Sequence, residues 1–312
     1  MILIVTADLH LSDRPPVARS AETDWFAAMR RPLLQLRDLM QKHDAPLAIA
    51  GDVFDSCGKI DGERSSRGSK ISPRLINFAI ENLPNFFGVP GNHELPHHRL
   101  ADLKRSPFWT LVEAKRAVYL EPGKPVELPL CRLHGFPFGV PTTPLKNPHS
   151  IALEIAIVHA YCWIEGCGHP EADPRDNAGK ILESLKGYDL AVHGDNHKPF
   201  YVPSPSRCGI FNCGSLIRRT IDEKQHRPSV GLVKEDGTVE REYLDCSEDK
   251  FVDLESAAEF AVADPEIGRF IDELSALADS GISFRDALRR WCEANKVRSK
   301  VREFISAAME AK

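Results

Sequence analysis

Five short apolar runs in this chain each stop at residues able to bind a metal ion. Residues 2–7 lead to Asp8-Leu9-His10, residues 47–50 to Gly51-Asp52, and residues 86–89 to Pro90-Gly91-Asn92-His93-Glu94. Residues 155–158 lead to His159, and residues 190–192 to His193-Gly194-Asp195-Asn196-His197. Carboxylate oxygens and imidazole nitrogens together suit divalent cations. If the first strand runs on through Asp8 and His10, its period of two puts both side chains on one side. Asp52 follows a glycine that lets the backbone turn sharply, and its two oxygens could bridge two ions. Two ions ~3.5–4 Å apart would clamp the attacking and leaving oxygens of a phosphate ester and lower the pKa of a bound water. Taken singly, Asp-x-His and Gly-Asp are common in ordinary surface loops, while Gly-Asn-His-Glu after an apolar run is more specific, because Asn and His side by side in a glycine turn have little packing purpose. The weight lies in all five occurring in order, each at the end of an apolar run.

The runs are short and rich in β-branched residues, as buried strands are. Helical periodicity lies between them. Residues 24–43 carry Trp25, Phe26, Met29, Leu33, Leu36, Leu39 and Met40 at helical spacing, residues 73–82 carry Leu75, Ile76, Phe78, Ala79 and Ile80, and residues 177–186 predict a shorter helix. Ligands of open α/β sheets gather beyond the carboxyl ends of the strands, so this alternation would bring the five motifs together. After Asn196 the pattern becomes strands at 209–213, 230–233 and 238–244, the last two joined through Glu235-Asp236-Gly237. A helical pattern follows, with Phe284, Leu288, Trp291, Cys292, Val297, Val301, Phe304 and Ile305 on one face. Two parts are expected: a catalytic domain, 1–246, and a C-terminal helical segment, 247–312.

At 312 residues, 42% hydrophobic and 27% charged, the chain has a globular composition, which excludes wholesale disorder, collagen-like repeats and coiled coil. Lys and Arg number 40 against 45 Asp and Glu, a net charge of −5. That excludes a bulk polycation, so contact with nucleic acid must come from local basic patches. Such patches flank the motifs: Arg64, Arg67, Lys70 and Arg74 after Asp52, then His97, His98, Arg99, Lys104 and Arg105 after Glu94, then Arg218, Arg219, Lys224 and Arg227. A polyanionic substrate requires such contacts, although solvated loops have a similar composition. The eight cysteines contain no Cys-x-x-Cys pair and read as reduced thiols. Cys162, Cys167 and His169 could hold zinc, but no fourth ligand is evident. No basic leader precedes the first apolar run, and the longest apolar stretch, 151–164, is broken by Glu154 and His159. The expectation is an intracellular, cytoplasmic chain that does not engage a membrane.

The ordered set Asp8-Leu9-His10, Gly51-Asp52-Val53-Phe54-Asp55, Gly91-Asn92-His93-Glu94, His159 and Gly194-Asp195-Asn196-His197 resembles the calcineurin-like metallophosphoesterase family, over roughly residues 1–245. The resemblance implies an α+β fold, a four-layer αββα sandwich with a small C-terminal helical segment, and a dinuclear metal centre. By the same resemblance, metal one falls to Asp8, His10, Asp52 and His197, and metal two to Asp52, Asn92, His159 and Asp195. His93 matches the histidine that contacts the phosphate and protonates the leaving oxygen. Glu94 stands where the family usually has Asp, and would orient His93. Asp195 departs from the family's usual histidine, and its carboxylate favours Mn²⁺ or Mg²⁺ over softer metals. His193 beside it reads as a packing or outer-layer residue. The cofactors implied are two divalent ions, Mn²⁺ foremost, with Mg²⁺, Fe²⁺ and Zn²⁺ open.

Within the family, the segment Ala7-Asp8-Leu9-His10-Leu11-Ser12, residues 194–199 (GDNHKP) and Asn212-Cys213-Gly214-Ser215-Leu216 resemble the SbcD-type DNA repair nuclease branch in a compact, phage-like form. That likeness implies a DNA substrate, an SMC-like ATPase partner and the possibility of a homodimer, with Arg67, Lys70, Arg218 and Arg219 as candidate substrate contacts. A phosphomonoesterase or small-nucleotide phosphodiesterase is the alternative on the same scaffold. A non-catalytic binding module is a third reading, against which the presence of His93 speaks.

Overall fold

The computed structural model describes residues 1–56, 71–148, 152–169, 171–204 and 208–252. Along the chain run β1 (Leu3–Thr6), α1 (Trp25–His43), β2 (Leu47–Ala50), α2 (Pro73–Asn82), β3 (Phe86–Val89), α3 (Pro107–Glu113), β4 (Ala117–Tyr119), β5 (Val126–Glu127) and β6 (Cys131–Phe136). There follow β7 (Leu153–His159), α4 (Ala178–Ile181), β8 (Leu190–Gly194), β9 (Phe200–Val202), β10 (Gly209–Asn212), β11 (Ser229–Val233) and β12 (Val239–Tyr243). They form two mixed six-stranded sheets, ordered β12-β11-β1-β2-β3-β4 and β5-β6-β7-β8-β10-β9. β1 to β4 are parallel neighbours, as are β6, β7, β8 and β10; antiparallel strands close the β12 edge of the first sheet and both edges of the second, while the parallel β4 forms the first sheet's other edge.

Period-two alternation sorts the side chains of each central strand between two cores. On β1, Leu3 and Val5 face the other sheet and Ile4 faces the helices; on β2, Ala48 and Ala50 face inward while Leu47 and Ile49 face outward. Ile155 and Ile157 of β7 and Leu190 and Val192 of β8 complete the inter-sheet layer. The outer face of the first sheet is covered by Met29, Leu33 and Leu36 of α1, Leu75 and Phe78 of α2, and Phe108 and Leu111 of α3. On the second sheet's outer face, Ala156, Val158, Ala191 and Ile210 pack under Ala178, Leu185 and Tyr188. This is the four-layer sandwich expected, with the central strands of both sheets buried on both faces.

Side-chain caps start the helices: Asp24 accepts from the Ala27 N–H, Ser72 from Leu75 and Ser106 from Trp109. The helix expected over 177–186 is confined to α4, and the chain continues in single turns to Gly187 at φ +88°. β6 has no apolar run to announce it, because its outward positions are Arg132 and His134, which bind the buried Glu154 of β7 at 3.0 and 2.6 Å. Among the described residues no helix is long and apolar enough to cross a membrane. Met1–Phe251 forms one compact unit. Residues 57–70, with Arg67 and Lys70, and the expected helical pattern from residue 253 onward lie outside the described residues.

The inter-sheet layer is the main apolar core common to both sheets, so Ile157→Ala is expected to cost ~2–5 kcal/mol, against about 1 kcal/mol for Asp24→Ala at its exposed cap. Urea denaturation of the two variants measures the ranking, and a larger loss for Asp24→Ala would contradict this packing.

Candidate metal centre

The five strand ends meet. Three groups of ligand atoms lie within 4.8 Å of one another: Asp8, His10 and His197; Asp8, Asp52 and His159; and His10, Asp55 and His93. β1, β2 and β3 of one sheet and β7 and β8 of the other therefore contribute to one place. The backbone reaches it by a different route from the extended one expected for Asp8 and His10. Both lie beyond the end of β1 in the left-handed region, at φ 53° and 49°, as do Asp52 at 51° and Asp195 at 86°. Such conformations cost roughly 1–3 kcal/mol each for a non-glycine residue and persist where surroundings impose them. Here a ladder between the loops after β1 and β2 imposes them. Asp8 N–H donates to Gly51, His10 to Asp52 and Leu11 to Val53, at 3.1, 2.9 and 2.8 Å.

Every imidazole in the centre turns the same way. His159 Nδ1 donates to the Ala50 carbonyl at 2.8 Å, so Nε2 points inward, 2.9 Å from Asn92 Oδ1 and 3.5 Å from Asp52 Oδ2. His93 Nδ1 donates to the Asp55 carbonyl at 2.8 Å, and its Nε2 lies 4.0 Å from Asp52 Oδ2. His197 Nδ1 faces Glu223 Oε1 at 3.4 Å, and its Nε2 meets His10 Nε2 at 3.0 Å. His10 Nε2 is 3.7 Å from Asp52 Oδ2; its buried Nδ1 has no hydrogen-bond partner among the described residues and stands 3.6 Å from Asp55 Oδ1. An outward Nδ1 held by oxygen leaves Nε2 as the inward ligand atom, the usual arrangement around a protein-bound metal.

The carboxylates at the centre are deeply buried. Burial pushes the Asp8 carboxyl up to about 7, against the pull of His159 and His197. Burial and neighbouring Asp52 push Glu94 up to about 8. Burial disfavours a charge on His159, but Asp52, Asp8 and Asp195 outweigh it and hold the imidazolium up to about 9. His10 is driven well below its ordinary value by burial. The protein alone must therefore gather protons to balance this cluster. Buried carboxylate oxygens, inward imidazole nitrogens and the Asn92 carbonyl oxygen form a donor set that fits divalent cations. Asp195 stands next to the three groups. Its N–H donates to both Asp8 oxygens at 3.1 Å, and its carboxylate acts on His159.

Two expected roles are corrected. Glu94 does not orient His93: its carboxylate accepts from the N–H groups of Val53, Phe54 and Gly91 at 2.7, 3.1 and 2.8 Å, which ties the loop after β2 to the loop after β3. Asp55, two residues beyond that loop's first contact, is the partner of His93. Arg218 is not offered to a substrate. Buried over Phe251, its guanidinium donates to Asp249, to the Cys246 carbonyl and to the Lys224 carbonyl, at 3.0, 2.8 and 2.9 Å, which binds the chain after β12 into the fold. Arg219 does reach the centre, 2.7 Å from Asp55 Oδ1, and its buried Nε has no hydrogen-bond partner among the described residues. Glu223, which reads in the sequence only as an acid among basic residues, is buried behind His197. His193 donates from Nδ1 to the Ala160 carbonyl, and burial pushes it down to about 4, so it is neutral packing. Among the described residues Cys162, Cys167 and His169 do not converge on a cation, and Cys167 Sγ points to the Pro199 carbonyl.

The family model of the calcineurin-like phosphoesterases matches residues 1–199, and this chain belongs to that family. It is a metallophosphoesterase fold whose family typically binds two divalent ions. Among solved structures, a Staphylococcus aureus protein assigned as a 5′-nucleotidase, in complex with alpha-ketoglutarate, is 14% identical with a TM-score of 0.43, covering 87% of this chain and 58% of its own. The 5′-nucleotidase of Candida albicans is 14% identical with a TM-score of 0.45, covering 80% of this chain and 55% of its own. The chain thus spans less than two thirds of either protein, and the likeness is too slight to bear on its substrate. No curated protein matches the chain.

Asp8, Glu94 and His159 each hold a proton more tightly folded than unfolded, so each loses stabilisation as pH rises, through about 7, about 8 and about 9. His10 and His193 shift the opposite way and act below their ordinary 6.5. EDTA-treated protein is expected to melt lower as pH rises from 6.5 to 9, and Mn²⁺ to raise the melting temperature most at the upper end, since its ligands bind deprotonated. A melting temperature that climbs with pH in EDTA would contradict this electrostatic picture.

Proposed function

We propose that this chain is a divalent-metal-dependent phosphodiesterase whose substrate is DNA, with Asp8, His10, Asp52 and His197 holding one ion and Asp52, Asn92, His159 and Asp195 the other. The observation that carries the reading is the convergence of inward Nε2 atoms on Asp52 Oδ2, at 3.5 Å from His159, 3.7 Å from His10 and 4.0 Å from His93. Two bound divalent ions supply charge to the phosphoryl oxygens and a water acidic enough to attack phosphorus. His93, like His197 and unlike the buried His10 and His159, is partly exposed, which suits contact with a substrate. With Nδ1 committed to Asp55, Nε2 is the atom that carries a proton to the leaving oxygen. Arg219, held by Asp55, brings its guanidinium charge to the centre, where it would favour a non-bridging phosphoryl oxygen.

A diester is favoured over a monoester on charge. A phosphomonoester brings roughly 1.5–2 negative charges at neutral pH, a diester one. Among the described residues the arginine brought to the centre is Arg219, and it is already paired with Asp55. The finer reading, an SbcD-type nuclease that works with an SMC-like ATPase, is supported by the sequence segments at 7–12, 194–199 and 212–216, and the carboxylate of Asp195 favours Mn²⁺ or Mg²⁺.

His93→Ala is expected to keep its Mn²⁺ content and lose ~10²–10⁴-fold in kcat/KM on a DNA strand. Full activity in that variant at normal metal content would remove the acid role. Assaying wild-type protein with Mn²⁺ on DNA, nucleoside monophosphates and p-nitrophenyl esters decides the substrate: hydrolysis of nucleoside monophosphates without DNA cleavage would replace the diester reading with the monoester one.

A further inference from the structure

The segment between β10 and β11 carries one buried carboxylate that serves two parts of the centre at once. Glu223 stands in a single 3₁₀ turn, Asp222–Gln225. Its Oε1 accepts from Ser215 Oγ at 2.7 Å and faces His197 Nδ1 at 3.4 Å. Its Oε2 accepts from the backbone N–H groups of Arg219 and Thr220 at 2.6 and 3.0 Å. The same segment is stitched to both sheets' strand-end motifs: Ser215 N–H donates to the His197 carbonyl at 3.3 Å, and Leu216 N–H to the Asp8 carbonyl at 3.2 Å. Four donors therefore converge on one side chain. One belongs to an expected ligand of the first ion, and another to the backbone of the residue whose guanidinium reaches Asp55.

We propose that Glu223 is a positioning residue that couples ion binding to the grip on phosphate: it holds His197 with Nε2 inward, and it fixes the turn that sets Arg219 against Asp55. The proposal rests on the metal reading given above. Its chemistry is that of a carboxylate behind a metal-bound imidazole, which fixes the ring's tautomer and orientation. A glutamine has the same shape but one acceptor oxygen. If that oxygen keeps the N–H groups of Arg219 and Thr220, the amide NH₂ faces the donating Nδ1 of His197; if it turns to His197, the NH₂ faces the two backbone donors.

The test is calorimetric titration of EDTA-stripped full-length protein with MnCl₂, for wild type, Glu223→Gln and Ser215→Ala. Wild type is expected to bind two ions. Glu223→Gln is expected to weaken one of them ~10–100-fold and leave the other within about threefold. Turnover of the variant should return when Mn²⁺ is raised in proportion, which a merely misfolded loop would not allow. Ser215→Ala removes a hydrogen bond from the same carboxylate without touching His197, so it should keep both affinities. Two wild-type affinities in Glu223→Gln, or an equal weakening in Ser215→Ala, would overturn the positioning role alone. A wild-type protein that binds no Mn²⁺ would overturn the metal reading, and this role with it.

Discussion

The centre is organised around the Asp52 carboxylate. One oxygen is fixed by the His93 backbone N–H at 3.1 Å, and the other faces three imidazole nitrogens from three different strand-end segments. This requires backbone to approach side chain more closely than any Cβ permits. A Cβ on Gly91 would lie 2.0 Å from Asp52 Oδ1, and one on Gly51, itself at φ +88°, would lie 2.0 Å from His159 Nδ1. The two glycines are what lets the loops after β2 and β3 close on β7 of the opposite sheet. The sandwich then has a purpose beyond stability: with the central strands buried on both faces, their ends are held in place and the charges at those ends are held together.

Holding them together is unfavourable for the protein alone. Buried carboxylates at Asp8 and Asp52 and a half-buried one at Asp195, with strained backbone at all three, make a site whose electrostatic cost is offset by protons or by a cation. Oxygens outside the centre aim the imidazoles inward: the Ala50 carbonyl for His159, the Asp55 carbonyl for His93 and the Glu223 carboxylate for His197. Glu94 and the ladder between the loops after β1 and β2 then stiffen the backbone beneath. Preorganisation of this kind lets an ion bind without rearranging the fold.

Strands and the convergence of their ends were legible because buried parallel strands read as continuous apolar runs, and a motif at a run's end has little packing purpose. β1, β2, β3, β7 and β8 fall where those runs predict them. What stayed hidden has physical reasons. β6 is masked by outward Arg132 and His134, whose polarity is satisfied only by Glu154 from a neighbouring strand. The left-handed turns at Asp8 and His10 depend on pairing with the loop after β2, so an extended reading of the same residues was the local default. Glu94 and Glu223 exchanged importance for a similar reason. The family resemblance implied that Glu94 orients His93, yet the glutamate carboxylate turns to three backbone donors, while Glu223 comes to His197 only through folding. A signal for Asp55 was present in the Gly51-Asp52-Val53-Phe54-Asp55 motif, since that loop must leave the ion site by way of its last acid. Arg218 and Arg219 are neighbours in sequence, and only the packing of Phe251 and Asp249 against one of them separates a structural guanidinium from one at the centre.

The central claim is that two divalent ions share Asp52. Anomalous diffraction at the manganese edge from crystals soaked in MnCl₂ addresses it most directly. The account predicts two peaks ~3.5–4 Å apart astride the Asp52 carboxylate, one beside His10 and His197 and the other beside Asn92 and His159. Peaks elsewhere on the surface, or a centre that stays free of manganese while His10 Nε2 and His197 Nε2 remain in contact, would contradict it.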